Sequence, residues 1–139
     1  MKIFSKNSVK IRDLILSDTR ESPNLYVFLT YTNTGGVVGR AWVGSLCVSD
    51  NSKAYRSSIN AYIFNDLISA EILAHEIGHN LNMRHDFLSI SGTNKVPRIC
   101  PTDDSSCTDI NGIMDYYETS PLSWTCCSRF GILCDLVRI

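Results

Sequence analysis

A chain of 139 residues that is 44% hydrophobic and 19% charged has the apolar content for one globular domain with a modest core, and too little length for a second. A formal charge of −1, with the basic residues scattered, excludes an electrostatic footprint for nucleic acid or for an anionic membrane surface. No apolar run approaches the roughly eighteen residues of a membrane-spanning helix, so the sequence describes a soluble chain with no membrane span.

The opening stretch, MKIFSKNSVKIRDLILSDTR, breaks its hydrophobic residues with charges where a signal peptide keeps them contiguous. From Leu25, LYVFLTYT is apolar or aromatic on both alternating faces and predicts an interior strand. NTGG then supplies turn chemistry and VVGRAWVGSLCV resumes as a second strand, which together predict a hairpin. Gly39 and Gly44 are poor strand formers; they mark either a bulge or a place where another backbone comes close, as an extended peptide would.

INAYIF predicts one more short strand, after which Asn65 or Asp66 caps a helix. Leu67, Ala70, Ala74, Ile77 and Leu81 recur at three- and four-residue steps, so one helix face is expected to meet a core, with His75 and His79 on a different stripe. After Asp86 the periodicity gives way to FLSISGTNKVPRICPTDDSSCTDING, a polar, cysteine-bearing connection long enough to be functional or disulfide-clamped.

Six cysteines (Cys47, Cys100, Cys107, Cys126, Cys127 and Cys134) form no CxxC pair. Their even number points to disulfides and an oxidising, extracellular compartment; the alternative is six reduced thiols in a cytosolic protein. Since no signal peptide is present, secretion requires that Met1 is not the natural start or that the chain is a fragment.

All three histidines fall in HEIGHNLNMRHD, residues 75–86. Residues four apart on a helix lie on one face, about 6 Å apart along the axis, so the imidazoles of His75 and His79 can converge on one ion. A catalytic zinc site needs a third protein ligand and an open position for water. On an unbroken helix His85 would lie about 9 Å along and roughly 240° around from His79, out of reach. The helix therefore has to end soon after His79, through a residue that tolerates the left-handed conformation, and Asn82 stands at that point. Glu76, next to the first ligand, is the general base that takes a proton from water at the open position. A structural zinc site would close all four positions with protein ligands, and no fourth donor stands at a suitable spacing.

HExxH-xx-N-xx-HD, read from His75, resembles the zinc signature of metzincins of the adamalysin (reprolysin) type, the group of the ADAM and ADAMTS proteases and the venom metalloproteases. Asn82 occupies the usual glycine position, and Asp86 favours this branch. GIMDY, residues 112–116, is similar to the metzincin Met-turn that runs beneath the metal. WTCCS resembles the family's FSxCS segment, with Cys127 in the matching place, and GRAWVGSLC is similar to the strand that lines the cleft.

The resemblance spans roughly residues 25–134 and implies a secreted, zinc-dependent metalloendopeptidase acting on polypeptide substrates. Its fold would be α+β: a twisted mixed sheet with an active-site helix over about residues 1–82 and a small disulfide-bearing subdomain over 83–139, in one catalytic domain. Residues 1–24 are too few for the family's further strands and long helix, so the N-terminal part looks incomplete. The same resemblance implies one zinc ion on His75, His79 and His85, a packing floor at Met114 and a buried structural acceptor at Asp86. Tyr116 is implied either as a residue that approaches the metal or as a wall of the pocket formed by YYETSPLSW. It pairs Cys47 with Cys134 and leaves Cys100, Cys107, Cys126 and Cys127 for two bridges, the adjacent pair going to different partners. The competing reading is a non-catalytic, metzincin-shaped binding or inhibitory module, against which the retained Glu76 counts.

Overall fold

The structure is a computed structural model that describes residues 25–31, 37–46, 55–91, 94–97, 112–115, 123–129 and 132. The expectations that concern residues 1–24, Cys47, Cys100, Cys107, Tyr116 and Cys134 lie outside the described residues.

Three strands, β1 (Tyr26–Thr30), β2 (Gly39–Ala41) and β3 (Ser57–Ala61), form a mixed sheet in the order β1-β3-β2. β3 runs parallel to β1, with Tyr26 beside Ser57, and antiparallel to β2, with Gly39 beside Asn60. The hairpin expected from NTGG is therefore corrected: β3 lies between the two strands that the turn chemistry would have paired. Turn residues set how a chain can reverse, but pairing also depends on which later strand competes for the same edge. Ladder bonds extend past the strand ends, from Ala61 N to Val38 O (2.7 Å) and from Tyr62 N to Thr30 O (2.8 Å).

β1 is also not an interior strand of the described sheet. Among the described strands it pairs with β3 alone, and Val27 and Leu29 are 40% and 64% exposed. An apolar strand signals a capacity for burial on both faces and cannot say what covers them.

After β3, Phe64 takes a left-handed backbone (φ 58°) and the chain enters α1 (Asp66–Asn80). Of the two candidate caps it is Asn65 that serves: its backbone is extended and its side-chain oxygen accepts from Ile68 N at 3.1 Å. The helix lies against β3 and β2. The expected apolar stripe does not face the core, because Leu67 is 62% exposed, Ala70 is exposed and Ala74, Ile77 and Leu81 are only half-buried. The buried residues of α1 are His75, Glu76, Gly78, His79 and Asn80. Polar groups can occupy an interior when directed hydrogen bonds meet them, and that condition holds at this end of the helix for the Nδ1 atoms of His75 and His79 and for Asn80 Nδ2.

Beyond α1, β4 (Phe87–Ser91) and β5 (Asn94–Pro97) pair antiparallel, with an irregularity between Phe87 and Ser89. The stretch read as irregular after Asp86 thus begins with a hairpin. The signal lay in two residues, Gly92 and Thr93, between two short runs. Among the described residues the buried apolar side chains are Ala61, Met83, Phe87, Ile113 and Met114, four of which follow the end of α1 in sequence. The described part is thus a small mixed α+β unit whose core lies around the histidine cluster.

Candidate metal centre and catalytic site

The end of α1 is built as the spacing of the histidines requires. Asn82 has φ 75°, the left-handed conformation. Asn82 N bonds to His79 O at 2.9 Å and Met83 N bonds back to Gly78 O at 2.9 Å. This pair of bonds is the Schellman closure, in which one left-handed residue lets the helix's last carbonyls be met while the chain turns away. The turn carries His85 back toward His79.

The ligand atoms of His75, His79 and His85 lie within 4.8 Å of one another, and these three form the group of potential metal donors among the described residues. His79 Nε2 and His85 Nε2 are 3.2 Å apart. Two nitrogens on one tetrahedral zinc are separated by about 3.3 Å, so the spacing suits that ion. The outer nitrogens are anchored: His75 Nδ1 donates to Ile113 O at 2.7 Å, and His79 Nδ1 donates to Met83 O at 2.8 Å. A carbonyl accepts but cannot donate, so each Nδ1 carries the hydrogen and each Nε2 keeps a lone pair for the cluster centre.

Burial holds these rings neutral. It lowers the His75 pKa to about 4, against the opposing pull of the Ile113 carbonyl, and lowers His79 likewise against the Met83 carbonyl. The His85 ring stacks on Phe87, with centroids 5.0 Å apart and planes at 7°, which adds an apolar support to the third imidazole.

Glu76 is 5% exposed. Burial pushes its pKa up to about 7, with Arg40 pulling the other way. Its Oε2 is buried without a hydrogen-bond partner. Gly39 on β2 is the reason Glu76 fits: a β-carbon there would overlap Glu76 Oε1 and stand 2.7 Å from its Cγ. Gly44, with φ +71°, likewise faces Asn82, whose Oδ1 would stand 2.9 Å from an added β-carbon. The two glycines thus admit side chains from α1 and its terminal turn, and Gly44 also meets a backbone of this chain, its N donating to His79 O at 2.8 Å.

Residues 112–115 form the expected turn, closed by Asp115 N to Gly112 O at 2.9 Å. Met114 is fully buried. Gly78 lets it come close, since a β-carbon at 78 would stand 2.5 Å from Met114 Sδ and 2.9 Å from Trp124 Cζ3. One turn therefore supplies both a floor, through Met114, and an anchor for His75, through the Ile113 carbonyl.

Asp86 is a buried acceptor, as expected, but it reaches further than its own turn. Its Oδ1 accepts from Thr125 Oγ1 (2.7 Å) and Ser128 Oγ (2.9 Å), and its amide donates to Met114 O (3.2 Å). Thr125 also caps the helical turn at 126–129, accepting from Ser128 N at 3.1 Å. Asp86 thus ties the third ligand's turn to two segments distant in sequence.

Sequence reasoning singled out neither Thr125 and Ser128 nor Asn80. A Ser/Thr-x-x-Ser spacing at the head of a helical turn was a readable cap signal for Thr125. Nothing in the sequence around Asn80 separates it from an ordinary helix-end asparagine, yet it is fully buried and donates to Trp42 O, Ser45 Oγ and Ser57 O.

Residues 8–126 match the family model described as metallo-peptidase family M12. The chain is 33% identical over 75 residues to the zinc metalloproteinase-disintegrin-like kaouthiagin-like protein of Naja atra, a match covering 54% of this chain and 12% of that protein. It is 32% identical over 105 residues to the human protein named a disintegrin and metalloproteinase with thrombospondin motifs 6, covering 75% of this chain and 8% of that one. A zinc metalloproteinase/disintegrin of Gloydius halys is 35% identical over 75 residues, 54% of this chain and 15% of the relative. The chain thus spans a small fraction of the length of the relatives it matches.

Proposed function

We propose that this chain, which belongs to metallo-peptidase family M12 as a metzincin of the adamalysin (reprolysin) type, is a zinc-dependent endopeptidase in which Glu76 moves the protons. The observation that carries the reading is the convergence of His75, His79 and His85 beside a buried carboxylate that has an oxygen without a partner. Three imidazoles with no fourth protein donor among the described residues fit a catalytic zinc better than a structural one. Zinc held by the three histidines would supply a Lewis acid that polarises the scissile carbonyl and acidifies water.

The chain's own residues do the rest. The carbonyls of Ile113 and Met83 hold two rings in the neutral, Nδ1-protonated form, so that no rearrangement accompanies metal binding. Glu76, with its pKa pushed up to about 7, is poised to exchange a proton near neutral pH. It takes a proton from the water whose oxygen attacks the peptide carbon. As the C–N bond breaks it returns that proton to the leaving nitrogen, so no covalent acyl-enzyme forms. β2 lies over Glu76 at Gly39 and shields the carboxylate from bulk water. A non-catalytic binding module would leave this buried, partnerless oxygen without a use.

The protein acts in this reading outside the cell. The support is the even number of cysteines, six in all, which suits disulfides in an oxidising compartment. The family resemblance joins Cys47 to Cys134, with Cys126 and Cys127 bound to different partners; non-reducing peptide mapping that recovers Cys47 as a free thiol removes that pairing. Among the described residues no helix is long and apolar enough to cross a membrane.

The test of the activity is Glu76→Ala. It is expected to keep one zinc per chain and to lower hydrolysis of an unfolded protein by about 10²–10⁴-fold, the usual worth of a general acid–base. A zinc-loaded wild type that cuts no faster than Glu76→Ala on several unfolded substrates would defeat the endopeptidase reading.

A further inference from the structure

Asn80 is the last residue of α1, follows His79 directly, and has no part in the chemistry described so far. Its side-chain amide is fully buried and its Nδ2 lies 3.1 Å from Trp42 O, 3.0 Å from Ser45 Oγ and 3.2 Å from Ser57 O. Two N–H groups thus serve three acceptors from two different segments, the one leaving β2 and the one entering β3. Backbone bonds run alongside: Gly44 N to His79 O at 2.8 Å and Leu46 N to Asn80 O at 3.0 Å. These contacts staple residues 42–46 to the end of the metal-site helix. The strand that enters this segment is β2, whose Gly39 lies against Glu76.

We infer that Asn80 is a positioning residue: its carboxamide fixes the distance between β2 and α1, and so sets how the strand beside Glu76 is presented to a peptide. The inference rests on the endopeptidase reading for its effect on catalysis and on geometry alone for its effect on the strand. A carboxamide suits the place because all three partners are acceptors. An aspartate of equal size would set a carboxylate against the carbonyls of Trp42 and Ser57, and an alanine would leave the three acceptors without this donor. The anchors of the metal ligands are separate, since His75 and His79 are held by Ile113 and Met83. Loss of the staple is therefore expected to loosen the strand without releasing the ion.

The experiment is Asn80→Ala in the full zinc-loaded chain, read by amide hydrogen exchange, zinc content and steady-state kinetics. The amides of Gly44 and Leu46 should exchange about tenfold faster or more, the worth of one net hydrogen bond, while those of Tyr26 and Tyr62 in the β1–β3 ladder keep their rates. Zinc stays at one per chain. KM for an unfolded substrate should rise about tenfold with a smaller change in kcat, the mark of a lost binding arrangement. Ser45→Ala removes one acceptor and leaves the donor in place, so it should show the same selective acceleration at smaller size; it carries the test if Asn80→Ala fails to fold. Unchanged exchange at Gly44 and Leu46, or equal acceleration at all four amides, overturns the proposal. If the wild type hydrolyses nothing, the endopeptidase reading fails and the exchange pattern still decides the role of Asn80.

Discussion

The two ends of α1 differ in a way that reverses the simplest rule of burial. Its N-terminal end carries Leu67, 62% exposed, beside Phe64 at 82% and Tyr31 at 73%; these two rings and Tyr62 cluster with centroids 5.6–6.0 Å apart. Its C-terminal end buries two histidines, a glutamate, a glycine and an asparagine. The apolar end stays at the surface and the polar end goes inside. The polar end has what the apolar one lacks, a set of directed partners: carbonyls for the two Nδ1 atoms, three acceptors for Asn80, and a left-handed turn that meets the last helix carbonyls. Burial at this end follows directed bonding as much as hydrophobicity, with Glu76 Oε2 and Asn80 Oδ1 as the buried oxygens it leaves without a partner.

The comparison breaks most severely at His79. Replacing it by alanine removes one of the three proposed ligands and the donor to Met83 O, so zinc per chain should fall to background and hydrolysis with it. Metal analysis after dialysis is the check, and a zinc-replete His79→Ala protein would sink the ligand assignment.

Gly78→Ala tests the packing of the same end. Alanine favours a helix by about 1 kcal/mol over glycine, but overpacking a core costs about 1–3 kcal/mol. With a β-carbon 2.5 Å from Met114 Sδ and 2.9 Å from Trp124, the second effect should win and denaturant unfolding should report a net loss. A more stable Gly78→Ala chain would mean that the Met-turn yields at no cost.

Asn82 probes the turn. Its left-handed backbone costs an L-residue about 1–2 kcal/mol, and a β-branched side chain resists it more than asparagine does. Asn82→Val should weaken zinc binding in competition with a chelator, whereas Asn82→Gly should be neutral or slightly stabilising. Equal affinities for the two variants would contradict the role given to this backbone.

The smallest effect belongs to the other end of the helix. Leu67→Lys exchanges an exposed apolar side chain for a charged one and should change stability by no more than about 0.5 kcal/mol. A large drop in Tm would show that Leu67 is covered in solution.

The grouping of the three histidines was legible because it depends on local geometry. Two histidines four apart share a helix face wherever that helix lies, and a third six residues on forces a turn at a residue such as Asn82. The cap at Asn65 follows from an equally short spacing, whereas the turn at 112–115 was legible only through the family resemblance. Pairing was not legible: NTGG pointed to a hairpin between β1 and β2, and β3 took the place between them. Nor was the orientation of α1, whose apolar stripe predicted the wrong buried face.

What the sequence by itself determined about this protein is a set of rules that act within a dozen residues: helix period, capping, backbone handedness and the donor chemistry of histidine and glutamate. Only the tertiary structure decided which carbonyls orient His75 and His79, that Gly39 makes room for Glu76, that Asp86 is met by Thr125 and Ser128, and that Asn80 joins three segments. The partners in these contacts include residues 35 to 42 positions apart in the chain. Their meeting depends on how the strands, the helix and the later turns close on one another, and no local pattern of residues carries that information.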